Sequence, residues 1–201
     1  MSKLAECMIL SILWFVFSLP VITFGASTSA LYYSVVKVVR KDEGSALKDF
    51  WHSFKSNFKQ SIFVSLLTLA ISILIIAIGS AVYAATPQED LLKKIYIAYI
   101  ILFSSGIAWM HYVLSYIARF EASFKTVLKN SLIICLMNLP SSLSMAVLFI
   151  GIIVVFILTA PASGAALFLL PSIYALTTSF MLEKIYRKYM PASESDQLEE
   201  S

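Results

Sequence analysis

At 201 residues the chain has the length of one domain, yet 59% of its residues are apolar and only 13% are charged, and its mean hydropathy is +0.84. That balance excludes both an ordinary soluble globular domain and a disordered chain. The formal charge of +3 forms no basic stripe, so nucleic acid is not an expected partner. Runs such as Ser61–Ala85 and Leu143–Ala160 pass without a charge, and about 18 or more such residues suffice to cross roughly 30 Å of hydrocarbon. The fold class expected is an all-α polytopic membrane helix bundle of five or six membrane segments with interfacial cytoplasmic helices. Residues 1–190 form the single membrane domain, and the lipid bilayer is its first partner.

The opening stretch MSKLAECMILSILWFVFSLPVITFGAS resembles a signal peptide, but Glu6 sits among the leading residues and Leu31–Val39 continues the apolar run, so it is expected to stay attached. Pro20 has no amide hydrogen and disfavours helix at Leu19, which predicts an end to the first helix there. Gly25 permits a turn, and Ser27 or Thr28 is placed to cap a second helix. The reading favoured is a tight hairpin, Leu4–Leu19 and Thr28–Lys41; a single kinked span with its N-terminus outside is the alternative. Backbone groups freed by such a break need partners where no water reaches. The break at Pro20, Gly25 and Thr28 is therefore expected to be buried against other helices, the segment of Pro140 above all.

Further along, Leu47, Phe50, Trp51, Phe54 and Phe58 recur at helical spacing opposite Lys48, Asp49, His52, Lys55, Ser56 and Lys59. This pattern predicts a helix lying in the cytoplasmic interface, or a docking surface for a partner, ahead of a span over Ser61–Ala84. Thr86, Pro87 and Glu89 form a helix start with a capping box, opening a long helix to about Arg119. Asn138-Leu139-Pro140 predicts a second break. Leu143–Thr159 then spans outward, Ala160–Gly164 turns, and Ala165–Lys184 returns through a helix kinked near Pro171. Met190-Pro191 stops it, and the acidic tail 191–201 is expected to be disordered in the cytoplasm.

Cations cluster at Lys37–Lys59, at Arg119–Lys129 and at Lys184–Lys188. Positive residues stay on the side of synthesis, which makes these groups and the C-terminus cytoplasmic and turns 84–94 outward. The expected location is a bacterial cell membrane, crossed several times.

Chemistry-bearing residues are few. The two cysteines, Cys7 and Cys135, lie in apolar context and read as buried thiols. The two histidines offer no metal-ligand spacing, and no nucleophile–base arrangement, HExxH, GxSxG or glycine-rich phosphate loop occurs. No catalytic residue, metal or cofactor is expected. His111 is the one histidine at membrane depth, either a hydrogen-bonded packing residue or a proton or ligand site. Ser27–Ser29, His111 and Asn138–Ser144 are the polar stretches from which a transport cavity would be built.

The stretch RFEASFKTVLKNSLIICLMNLPSS is similar to the cytoplasmic loop of permease subunits in ATP-binding-cassette sugar importers, with Glu121-Ala122-Ser123 opening and Leu139-Pro140 closing at the family's distance. Val127 stands where that family has a glycine. The resemblance implies a short helix transmitting force to a span, with Phe120, Phe124, Val127 and Leu128 on its buried face. Together with Phe50, Trp51, Phe54 and Phe58, the residues Glu121, Phe124 and Leu128 are candidate partner contacts. More of the chain resembles the YesL family of bacterial membrane proteins, a domain of unknown function. Ser-Leu-Pro-x-x-Thr-x-Gly-Ala at 18–26, Ala30-Leu31-Tyr32-Tyr33, Phe54-Lys55-x-Asn57-Phe58-Lys59-Gln60, Arg119-Phe120-Glu121 and the tail helix SFMLEKIYRKY carry the likeness. YesL-like proteins are typically encoded beside carbohydrate importers of the cassette type in Gram-positive bacteria. The resemblance therefore implies a non-enzymatic accessory subunit contacting the permease or ATPase of such an importer; the alternatives are a small-solute transporter or channel, and a membrane-bound regulator.

Overall fold

The computed structural model of the protein describes residues 2–85, 95, 106–159 and 168–189. All regular structure among the described residues is helical. The elements are α1 (Lys3–Ser18), a 3-10 turn (Val21–Thr23), α2 (Phe24–Ser34) and α3 (Ala46–Ala85). They are followed by α4 (residues 106–119), α5 (Phe124–Met137), α6 (Leu139–Thr159) and α7 (Leu170–Tyr189). The start at Thr86, Pro87 and Glu89, the turn at 160–164 and the tail 191–201 lie outside the described residues.

The N-terminal segment is a hairpin. Ser2 caps α1 by accepting the Ala5 N–H at 3.3 Å, and α1 ends just before Pro20 as its missing donor requires. The chain reverses within the three-residue 3-10 turn, and the Thr23 hydroxyl donates to the carbonyls of Phe17 (2.6 Å) and Pro20 (2.9 Å). At the open end Lys3 Nζ donates to the Val39 carbonyl at 3.1 Å, so the two arms return side by side and the single kinked span is excluded. One detail differs from expectation: Ser27 and Thr28 do not cap α2. The tight turn starts that helix at Phe24, so both hydroxyls lie inside it and bond back to the Thr23 carbonyl at 3.0 Å and the Phe24 carbonyl at 2.7 Å.

Past Ser34 the helix continues as a π-helical stretch over Val35–Arg40, and Asp42 and Gly44, both at positive φ, turn it into α3. Asp49 holds that corner: its carboxylate accepts the Ser45 N–H at 2.6 Å and pairs with Lys37 at 3.1 Å.

α3 has 40 residues, about 60 Å at 1.5 Å per residue and roughly twice the hydrocarbon thickness. It is the one helix among the described residues that is long and apolar enough to cross a membrane; α5 and α6 add a second passage only if the bent pair counts as one span. Its first turns are not the separate interfacial helix expected. Phe50 and Phe54 are buried and their rings lie 6.0 and 5.1 Å from Phe17 of α1. The aromatic stripe faces protein, because the hairpin covers it. Only the Leu47 and Trp51 side chains remain exposed, and Phe58 is partly buried.

Asn138 separates α5 from α6, which diverge by 97°. Its amide N–H and side-chain amide both donate to the Ile134 carbonyl, at 3.1 and 2.8 Å, and Pro140 follows in the first turn of α6. The second predicted break is therefore a capped elbow. Pro171 lies in the first turn of α7, which begins at Leu170 after a 3-10 and turn position, and the predicted helix ahead of it, 165–167, lies outside the described residues. α7 is described as far as Tyr189, and the predicted stop at Met190-Pro191 lies outside the described residues.

Outward faces are apolar over long stretches: Phe63, Leu66, Leu69, Ile73, Leu74 and Ile76 along α3, and Leu143, Val147, Ile150, Val154, Ile157 and Leu158 along α6 are exposed. Soluble proteins seldom tolerate contiguous apolar surface beyond a few hundred Å².

Candidate functional site

Three groups of side chains sit where the elements meet. The first is the shelter of the hairpin turn. α2 packs most extensively on α3, and the Gly25 N–H, left without an intrahelical partner at the start of α2, donates to Ser65 Oγ at 2.9 Å. Ser29 and Ser61 hydroxyls meet at 3.3 Å, Ser18 and Ser27 at 2.7 Å, and Trp14 Nε1 donates to Thr28 Oγ1 at 3.1 Å. The polar groups of the break are thus buried against α3 and α1 and not against the Pro140 segment, while the apolar tip, Leu19 to Ile22, is exposed. At the base of the hairpin Ser11 donates to Ser172 Oγ at 2.7 Å, and Ser172 donates to the Cys7 carbonyl at 2.8 Å, joining α1 to α7.

The second group is an ionic clamp between α2, α4 and α7. Arg119 pairs with Glu183, both largely buried, and Tyr32 donates to the other oxygen of Glu183 at 3.0 Å. Arg40 donates to the Ser179 carbonyl at 3.2 Å and lies over the Phe180 ring. A seam of hydroxyls runs onward from the clamp: Tyr186 meets Ser115 at 2.6 Å, Ser142 donates to Tyr112 at 3.3 Å, and Asn138 donates to Tyr189 at 3.2 Å.

The third group surrounds His111. Nδ1 lies 2.8 Å from the Ile107 carbonyl, which only accepts, so Nδ1 carries a proton and the neutral ring takes the Tyr174 hydroxyl proton at Nε2. Phe149 and Tyr174 present edges to the ring at 5.6 and 5.2 Å. His111, Tyr174 and Thr28 line a cavity of about 560 Å³ between the hairpin, α4, α6 and α7. The expected grouping of polar stretches is only partly realised. Thr28 and His111 share this cavity, whereas Ser27, Ser29, Asn138 and Ser142 are bonded at the other two places.

At the end of this arrangement that carries the Arg119–Lys129 cations stands α5. Ser123 caps it, accepting the Thr126 N–H at 3.4 Å. Val127 is fully buried, and Phe124, Leu128 and Phe120 are partly so, as the loop resemblance implies. Gln60 of α3 donates to the Ala122 carbonyl at 3.1 Å, Phe63 meets Phe124 edge-on at 4.8 Å, and Asn130 donates to Tyr116 at 3.0 Å. Glu121, Lys125, Thr126 and Lys129 stay exposed. Of the partner contacts inferred from sequence, Glu121 and Trp51 are on the surface, Phe58, Phe124 and Leu128 are half-buried, and Phe50 and Phe54 are unavailable because they belong to the core.

Sequence reasoning missed Glu183, Tyr174, Ser61 and Ser65. Glu183 had a signal: it is a carboxylate in the C-terminal half of an apolar helix, where an arginine partner such as Arg119 is to be expected. The others had none, being ordinary side chains brought in from distant elements. No group of three or more His, Cys, Asp or Glu suited to a metal occurs among the described residues.

Fold and sites together define an all-helical protein with a helix fit to cross a membrane. Residues 7–78, the hairpin and most of α3, match the family described as Protein of unknown function, DUF624, in agreement with the YesL-like resemblance. No curated protein and no solved structure matches the chain.

Proposed function

We propose that the protein is a non-enzymatic accessory subunit of a carbohydrate importer of the ATP-binding-cassette class. In this reading it is a multi-pass protein of the bacterial cell membrane, with six membrane segments, the two hairpin arms among them, and a cytoplasmic C-terminus. The observation that carries the reading is the mounting of α5. One face is fixed to α3 and α4 through Val127, Phe124 and Gln60, the other presents Lys125 and Lys129 with Glu121 just ahead of the helix, and the helix meets α6 at 97°. A short, charged, rigidly held helix at right angles to a span suits contact with a permease or ATPase at the inner surface.

Co-purification tests this. Tagged protein expressed with the neighbouring importer subunits is expected to bring them through mild detergent, and Glu121→Lys with Lys125→Glu to release them without lowering the melting temperature. Protein that elutes alone overturns the reading.

The cavity at His111 supports a second reading, a small-solute transporter or channel. Reconstituted vesicles would then move solute without partners, and His111→Ala would abolish the flux.

A further inference from the structure

The cavity at His111 has an unusual setting. It lies beside the N-terminal hairpin, whose Trp14, Thr28 and Leu31 line it, with α4, α6 and α7 forming the rest of its wall. His111 is two turns, about 12 Å, from Arg119 along α4, which sets the cavity above the ionic clamp and inside the bundle. Its wall is built from Trp14, Phe24, Leu114, Phe149, Ile152 and Tyr174.

The polar atoms in that wall are already engaged. His111 has Ile107 and Tyr174, and Thr28 Oγ1 donates to Phe24 and accepts from Trp14. A water molecule needs two to four polar partners to stay in a buried space, and a hydrophilic solute needs more. About 560 Å³ is within the range of sites that bury a whole ligand, roughly 300–1,000 Å³. The rim is apolar and faces outward: Phe15, Leu19 and Ile153 border the cavity and are 46%, 68% and 41% exposed. The opening is therefore continuous with the apolar outer surface of α6, so whatever covers that surface has direct access to the interior.

We propose that this cavity is a binding site for the acyl chain of a bilayer phospholipid, which enters sideways past Phe15, Leu19 and Ile153 and ends against the His111–Tyr174 pair. The inference rests on the membrane reading of the chain but not on the importer as partner. The acyl chain occupies the cavity along the side of the hairpin. In a membrane the advantage over neighbouring lipid comes from close contact with the aromatic wall. The headgroup stays outside the rim.

The test uses the full chain in nanodiscs of phosphatidylethanolamine and phosphatidylglycerol doped with a phospholipid carrying a diazirine at the end of one acyl chain. After photolysis, adducts are mapped by peptide mass spectrometry. The expected result is labelling of Met110 or Tyr174, which border the cavity, together with outward positions such as Leu74. In the variant Ile107→Phe with Ile152→Phe, whose larger side chains fill the space, the inner adducts are lost and the outer ones persist. Labelling confined to outward faces in the unaltered protein overturns the proposal, whether or not the variant folds, and so do inner adducts that survive the filling.

Discussion

The amide hydrogen of Gly25 is held by the hydroxyl of Ser65, forty positions away, at 2.9 Å. A β-carbon at position 25 would collide with that hydroxyl and stand 2.7 Å from the Ser61 carbonyl. Glycine is needed here for close approach: α2 lies backbone-to-backbone on α3 because neither helix presents bulk at the crossing. Gly25→Ala is expected to lower stability by about 1–3 kcal/mol, the usual cost of overpacking, read as a lower melting temperature in detergent. A melting temperature equal to that of the parent means the hairpin does not rest on α3 as described.

The hydroxyls one turn further on tie α2 to both of its neighbours, Ser29 to α3 and Thr28 to α1. Ser29 is fully buried beside Ser61, and Thr28 accepts from Trp14. Replacing both by leucine adds volume against α3 and strands the indole N–H, so Thr28→Leu with Ser29→Leu is expected to melt earlier than the parent and to become protease-sensitive at the hairpin. Unchanged melting and protection contradict the shelter.

Arg119 and Glu183 give a double-mutant cycle. Both side chains are nearly buried, at 13% and 11% exposed, and removing one partner leaves the other charge without its counter-ion. Glu183→Ala alone is expected to cost about 3–5 kcal/mol, and replacing both residues with apolar ones of similar size much less. The cycle is measured by chemical or thermal unfolding in detergent. A loss in the double variant equal to the sum of the two single losses would show that the pair does not couple α4 to α7.

Both backbone interruptions were legible in the sequence, because Pro20 and the Asn138–Pro140 stretch act through local chemistry that needs no knowledge of the fold. Helix starts were less so: a threonine at position 23 outcompeted Ser27 and Thr28 by closing the turn on the Phe17 and Pro20 carbonyls. The direction of the Phe50–Phe54 stripe was not legible at all. An apolar face opposite lysines looks the same whether lipid or protein covers it, and only the return of α1 decides. The site fared similarly. His111 stood out as a lone titratable residue in apolar sequence, while Tyr174, 63 positions away, became visible only when α4 and α7 were adjacent.

The reading as a whole depends on one geometric claim: the hairpin turns back without crossing, so its open end and α5 lie on the same side. Lys3 at the Val39 carbonyl, Arg40 at the Ser179 carbonyl and Arg119 with Glu183 all gather at that end. Single cysteines at Ser2, Asp42 and Lys125, in a background with Cys7 and Cys135 replaced by serine, measure this directly with a membrane-impermeant maleimide. The account predicts that all three stay unlabelled in intact cells and react in inside-out vesicles. Labelling of Ser2→Cys from outside, with Lys125→Cys still labelled from inside, would contradict it.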